Sequence, residues 1–225
     1  MKAIILAAGR GDRMGSLTDH VPKPLLTAGG KMLIEYQIEK LARAGFRHLV
    51  INHAYLGAQI EAALGDGAGY SVEIQYVPEP PGALDTGGGI RNALPLLGKE
   101  PFVVTNGDIW TDFPFETLPD SPQGLVHLVL VDCPAHHPAG DFAMQDGWLV
   151  RQGSPMLTYS GIGVFRPELF QAVTATRFPL APLLYEAIDS RQAQGEYYAG
   201  YWQDVGTPER LAELERYLSR DRRLE

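Results

Sequence analysis

Four short apolar runs alternate with three stretches of helical spacing through the first 108 residues of this 225-residue chain, and that order leaves few folds open. Lys2 to Ala8 is continuously apolar and closed by Gly9, the pattern of a strand buried on both faces. Ile34, Ile38 and Leu41 recur at helical intervals within Leu33 to Ala44, and Gly45 offers a stop. His48 to Asn52 reads as a strand, and Leu56, Ile60 and Leu64 as a helix closed by Gly65. Val72, Ile74 and Tyr76 alternate as a third strand. Ile90, Leu94 and Leu97 mark a helix that Pro95 is expected to bend or shorten. Phe102 to Thr105 is the fourth strand, followed by Asn106-Gly107-Asp108. Such an alternation calls for a parallel sheet covered by helices, because each helix must return the chain to the same end of the sheet.

The second half is less regular. Leu125 to Val131 reads as a strand, and Asp146-Gly147 is a hairpin signal between Phe142–Met144 and Trp148–Val150. Thr158 to Phe165 and Glu196 to Val205 read as strands, and Leu180 to Gln192 as a helix. Thr207-Pro208-Glu209 starts a last helix with Leu211, Leu214 and Leu218 on its apolar stripe. The expected fold class is α/β: a Rossmann-like, mixed, mainly parallel sheet flanked by helices, with a smaller sub-lobe, in a single domain over 1–225. Hydrophobic residues at 45% and charged residues at 20% suit a globular core. No apolar run reaches membrane-spanning length, and Met1 leads into no secretory leader pattern. The single Cys133 forms no internal disulfide. A cytoplasmic protein is expected, with no membrane partner and, at a net charge of −8, no nucleic-acid partner.

Against that acidic background, residues 1–31 carry Lys2, Arg10, Arg13, Lys23 and Lys31 but only Asp12 and Asp19, a local surplus of three positive charges. A cationic zone of this kind suits a small anionic ligand. In open α/β sheets ligands bind beyond the carboxyl ends of the strands. Three polar clusters fall there: Gly9-Arg10-Gly11-Asp12-Arg13, Asn106-Gly107-Asp108 and Asp204-Val205-Gly206. The first is neither a P-loop, since Gly15-Ser16 lacks the lysine, nor a dinucleotide fingerprint, whose third small residue is here Met14.

The longer stretch LAAGRGDRMGSLTDHVPKPLLTAGGKMLIE, Leu6 to Glu35, resembles the signature of sugar-1-phosphate nucleotidyltransferases. The resemblance continues in the same order through LDTGGGI (84–90), NGD (106–108), YSGIGVF (159–165) and WQDVGTPERL (202–211). It implies the fold of the nucleotide-diphospho-sugar transferases, with a nucleotide-binding half over about residues 1–112 and a sugar-phosphate-binding half over about 113–225. It also implies transfer of a nucleotidyl group from an NTP to a sugar 1-phosphate, with release of pyrophosphate. UTP and N-acetylmuramic acid 1-phosphate, in cell-wall recycling, are the expected substrates. A GTP-dependent mannose- or heptose-1-phosphate guanylyltransferase and a non-catalytic nucleotide-sugar sensor stay open.

That chemistry needs no protein nucleophile. It needs two polyanions brought together and spreading charge stabilised. Arg13 is expected on the departing pyrophosphate and Lys23 between the α-phosphate and the incoming sugar phosphate. These are the two basic catalytic positions that the resemblance implies. It assigns Asp108 and Asp204 to Mg²⁺, which takes few protein oxygens. Ala8, Gly9, Gly11 and Asp12 are expected near ribose and phosphates, with Glu79, Thr86 and Gly87 near the base and Asn106 near the nucleoside. Gly140, Asp141, Tyr159, Ser160 and Gly161 are expected near the sugar phosphate, more weakly Asn52, His53 and Tyr55. Two departures stand out. Ser16-Leu17 replaces a common proline, and no lysine follows Lys99, so Arg151 is the candidate for the sugar-phosphate lysine of relatives. His136-His137 read as loop residues, and a monomer or weak homo-oligomer is expected.

Overall fold

The computed structural model describes residues 1–221. Its strands are β1 (Lys2–Leu6), β2 (Thr27–Ala28), β3 (Lys31–Met32), β4 (His48–His53), β5 (Glu73–Pro78), β6 (Phe102–Asn106), β7 (Ile109–Thr111), β8 (Val126–Val131), β9 (Ala143–Gln145), β10 (Trp148–Val150), β11 (Thr158–Phe165), β12 (Ala193–Tyr197) and β13 (Trp202–Asp204). Its helices are α1 (Leu33–Arg43), α2 (Gly57–Leu64), α3 (Asp85–Leu97), α4 (Ala181–Asp189) and α5 (Pro208–Asp221). Nine strands form one sheet in the order β5-β4-β1-β6-β11-β8-β12-β10-β9, in which only β10 and β11 run against the rest. The mixed, mostly parallel α/β architecture expected from the alternation is therefore present. No helix among the described residues is long and apolar enough to cross a membrane.

Strand alternation divides the core. Ile4, Val104 and Leu128 pack with Ile90, Ala93 and Leu97 of α3 and Leu183 and Leu184 of α4. Ala3, Ile5 and Val103 face the other way, onto Ile34, Ile38 and Leu41 of α1 and Ile60 and Leu64 of α2. A third cluster matters most for function: Met14, Leu26, Leu33, Trp110 and Val205 pack with Leu214 and Leu218 of α5. It ties the glycine loop, the β7–β13 ribbon and the C-terminal helix into one unit.

Three boundaries depart from the sequence reading. Helix α3 begins at Asp85, before the first apolar marker, and runs on through Pro95 to Leu97. Pro95 sits in the final turn and forgoes the bond that an N–H there would give the Arg91 carbonyl, and the helix ends two residues later. The strand expected over 196–205 is two strands, β12 in the main sheet and β13 paired with β7, broken at Tyr198-Ala199-Gly200. Beta pairing, invisible to local periodicity, decides that break. Thr27–Ala28 and Lys31–Met32 close a small hairpin through Gly29 and Gly30, both in the left-handed region.

Candidate active site

Leu6, Asn52 and Asn106 are paired neighbours at the ends of three adjacent parallel strands, and together they floor a cavity of about 430 Å³. Around this floor stand Ala8, Gly9, Gly11, Asp12, Arg13, Lys23, Glu79, Thr86 and Asp108. Nine of the ten residues expected at the nucleotide, Asn106 among them, are thus brought to one cavity.

The loop after β1 takes its shape from a few constraints. Gly11 is left-handed (φ +78°), and a Cβ there would lie 3.0 Å from Lys23 Cβ and 3.2 Å from Thr18 Cγ2. Thr18 Oγ1 is within hydrogen-bond reach of the Gly11 and Gly15 carbonyls, at 3.1 and 3.2 Å. Met14, the residue that broke the dinucleotide fingerprint, is buried under α5 and anchors the loop, while its neighbour Arg13 stays exposed on the cavity wall. Asp12 points outward and pairs with Arg10 Nε at 2.7 Å. Lys23 lies between Pro22 and Pro24 and is only 7% exposed, and its Nζ donates to Asp108 Oδ2. Asp108 follows the turn that closes β6, where Gly107 N donates to the Leu6 carbonyl at 2.9 Å. A buried ammonium in contact with a half-buried carboxylate is a costly arrangement that a folded chain keeps only when both charges are satisfied.

Asn52 and Glu79 form a buried latch that the sequence reading missed. Asn52 Oδ1 accepts from Ala7 N at 2.9 Å, and its Nδ2 donates to Glu79 Oε1 at 2.6 Å. Glu79 Oε2 accepts from Leu84 N at 2.8 Å. Both oxygens that were expected to read a base therefore hold the 79–84 loop against the strand ends. Gly89 makes room for the latch, since a Cβ there would lie 2.6 Å from Glu79 Oε1 and 2.7 Å from Asn52 Nδ2. Gly87 is corrected too: it sits inside α3 and its bare face packs on the Phe178 ring, away from the cavity lining. Glu79→Gln is expected to set an amide N–H against one of the two donors. It should cost about 2 kcal/mol and lower the melting temperature by about 4–8 °C, read by thermal unfolding.

Of the residues expected at the sugar phosphate, the weaker candidate Asn52 floors the cavity and the five main ones lie outside its lining. Ser160 is buried and its hydroxyl donates to the Val129 carbonyl at 2.8 Å, so it serves the β8–β11 irregularity rather than a ligand. Asp141 divides its carboxylate between His137 Nε2 at 3.0 Å and Tyr159 N at 2.8 Å. A Cβ on Gly140 would lie 2.8 Å from Cys133 Sγ and from the Leu157 carbonyl. The Tyr159 hydroxyl is buried without a hydrogen-bond partner among the described residues, and burial, then Asp141, pushes its ionisation well above the usual tyrosine range. Gly161 alone reaches the floor: it is left-handed, and a Cβ there would lie 2.5 Å from Asn106 Nδ2. Gly161→Ala is expected to displace the Asn106 amide and reduce kcat/KM about tenfold, as a misplaced floor residue costs orientation; steady-state kinetics reads it. The weaker candidates are engaged elsewhere, His53 with Glu61 at 2.7 Å and the Tyr55 hydroxyl with the Asp19 carbonyl at 2.7 Å. Arg151 is bound to Asp189 and lies over the Tyr185 ring on the surface, so it does not replace the missing lysine.

Asp204 has a different setting from the one expected. Its backbone is beside Asp108, with Val205 N donating to the Asp108 carbonyl at 2.8 Å. Its carboxylate, however, accepts from Arg210 Nη1 at 2.5 Å and lies 3.1 Å from His136 Nε2. Gly206, two residues on, lines the cavity and Asp204 does not. His136 is thus no idle loop residue. Among the described residues no group of three or more His, Cys, Asp or Glu is arranged to hold a metal unaided. The donor chemistry of Asp108 and Asp204 still fits magnesium, a hard cation that draws its other oxygens from phosphates and water.

Open α/β sheets bind ligands at cavities beyond their strand ends, and a glycine loop and a buried lysine on this cavity's wall suit phosphates. Residues 2–144 match the nucleotidyl transferase family, and the chain belongs to it. It is 49% identical to the N-acetylmuramate alpha-1-phosphate uridylyltransferase of Neisseria meningitidis, over 96% of this chain and 97% of that one. It is 32% identical to the protein of the same name from Caulobacter vibrioides, over 92% of each. The fold matches that of HddC from Yersinia pseudotuberculosis complexed with GMP-PN, with a TM-score of 0.78 at 19% identity, over 96% of this chain and 98% of that chain.

Proposed function

We propose that this chain is a uridylyltransferase that moves UMP from UTP to N-acetylmuramic acid 1-phosphate and releases pyrophosphate, as a magnesium-dependent, cytoplasmic step of cell-wall recycling. The observation that carries the reading is the contact between the buried Lys23 ammonium and Asp108 on the cavity wall. It supplies a fixed positive charge and a hard oxygen donor at one point, where a phosphoryl centre needs both. An oxygen of the sugar phosphate attacks the α-phosphorus as the bond to the β-phosphate oxygen breaks, and the electron pair leaves with pyrophosphate. Lys23 holds the α-phosphate against the attacking phosphate, and Arg13 takes the charge that builds on pyrophosphate. Backbone N–H groups of Ala8, Gly9 and Gly11 approach the triphosphate, which a side chain at the glycines would hinder. Magnesium held by Asp108 and Asp204 would offset repulsion among the phosphates. The 83–86 segment, tied down by Glu79, reads the uracil, and Asn106 orients the ribose. Gly161 keeps Asn106 in place from the acceptor side.

The reading of the substrates rests on the 49% identity to the Neisseria protein across nearly all of both chains. Release of pyrophosphate should be measured with UTP, GTP, CTP and dTTP against a panel of sugar 1-phosphates. UTP with N-acetylmuramic acid 1-phosphate is expected to exceed every other pair by at least about tenfold, a margin of about 1.4 kcal/mol. A faster reaction of GTP with mannose or heptose 1-phosphate would move the chain to the guanylyltransferases. Tight nucleotide binding with no pyrophosphate from any pair would make it a sensor.

A further inference from the structure

Two guanidinium groups meet at Gly206. A Cβ on that glycine would collide with Arg210 Nη2 and lie 3.1 Å from Arg13 Nη2. Arg13 comes from the loop after β1 and Arg210 from the first turn of α5, elements that the third core cluster locks together. Arg210 N lies 3.4 Å from the Thr207 hydroxyl at the helix start, and its side chain runs back to Asp204 of the ribbon. Arg13 and Gly206 both line the cavity. Arg13 makes no ion pair among the described residues, while Arg210, with its side chain 12% exposed, is held by Asp204 at 2.5 Å and lies 2.9 Å from His136 Nε2. Like charges brought this close repel unless an anion lies between them. Asp204 balances one of the two.

A symmetry between the two acids sharpens the point. Asp108 is held by Lys23 and Asp204 by Arg210, so each carboxylate assigned to the metal carries a cation of the protein's own. We propose that Arg210, behind the cavity wall at Gly206, is a second phosphate-binding arginine, stored on Asp204 until substrate arrives. Its guanidinium exchanges the carboxylate for phosphate oxygens, which match its fork, and Asp204 is thereby freed for a divalent cation. This inference rests on the reading of the cavity as a phosphoryl-transfer site. The phosphate belongs either to the triphosphate tail or to the acceptor sugar, whose customary lysine this chain lacks.

Three measurements test it, on wild type and Arg210→Gln: binding of Mn²⁺ alone, followed by electron paramagnetic resonance, binding of UTP in EDTA, followed by calorimetry, and the KM for the sugar 1-phosphate. The variant is expected to bind Mn²⁺ at least about fivefold more tightly, because Asp204 has lost its internal cation. It is also expected to lose phosphate affinity about tenfold. A loss in UTP binding assigns the contact to the triphosphate, and a rise in KM for the sugar 1-phosphate with UTP binding unchanged assigns it to the acceptor; either supports the exchange. Arg210→Lys should recover part of the phosphate affinity. A purely structural arginine would weaken Mn²⁺ and phosphate binding together, and that result, or affinities within twofold of wild type, overturns the proposal. If Arg210→Gln does not fold, Arg210→Lys decides: an unchanged phosphate affinity there overturns it too. Wild-type protein that binds no nucleotide would instead overturn the reading of the cavity itself.

Discussion

Asp108→Asn is expected to reduce turnover by about three orders of magnitude while leaving the fold in place. The change removes one negative charge and keeps the shape. The asparagine carbonyl oxygen still accepts from the Lys23 ammonium, so the buried lysine keeps a hydrogen-bond partner. What disappears is the anionic oxygen on the cavity wall, which a magnesium-bound phosphoryl centre uses most directly. Asp108 is about one-third exposed, against 9% for the Lys23 side chain, so water softens the loss. An ion pair becomes an ammonium-to-amide bond, at a cost of about 1–2 kcal/mol, or a fall of about 2–8 °C in melting temperature. Pyrophosphate release and thermal unfolding on one preparation separate the two effects. Turnover within tenfold of wild type would remove Asp108 from the reaction, and a collapse of the melting transition would make it a folding residue.

Much of this site was legible because it is local. The glycine loop, Lys23 between its prolines and Asp108 after the fourth strand each sit beside a strand end, and parallel strands deliver their ends to one rim. The remainder depends on long-range packing. Glu79 stands among prolines in the sequence and was expected near the base, yet its carboxylate is taken up by Asn52 from another strand and by Leu84 N. Gly87 belongs to a glycine run that looks like a ligand loop, and only the Phe178 ring explains it. Ser160 points inward because the register with β8 shifts between Tyr159 and Gly163, and no local pattern announces such a shift. Arg210 is one more charge on an amphipathic helix until α5 packs on Met14 and returns it to Gly206. Side-chain direction at a site is thus a tertiary property even where its backbone is a local one.

Lys23→Met and Lys23→Ala, taken as a pair, are expected to lose turnover equally, by about 10²–10³-fold, and to differ in stability. The Lys23 stem packs closely on the glycine loop, where a Cβ on Gly11 would lie 3.0 Å from its Cβ and 3.3 Å from its Cδ. Alanine leaves that space empty, at a cost of about 2–3 kcal/mol, whereas methionine nearly fills it. Neither provides an ammonium. If Lys23 acts on charge that develops between the two phosphates, kcat and kcat/KM fall together and the Kd for UTP changes little, by less than about tenfold. The charge left on Asp108 is reached by solvent, so the methionine variant should melt near wild type. Single-turnover kinetics, UTP calorimetry and melting curves on both variants give three independent readings. A loss confined to UTP affinity would make Lys23 a nucleotide anchor that acts equally in ground and transition states. A kcat loss in alanine but not in methionine would assign the residue to loop packing, and the charge would then have no part in the reaction.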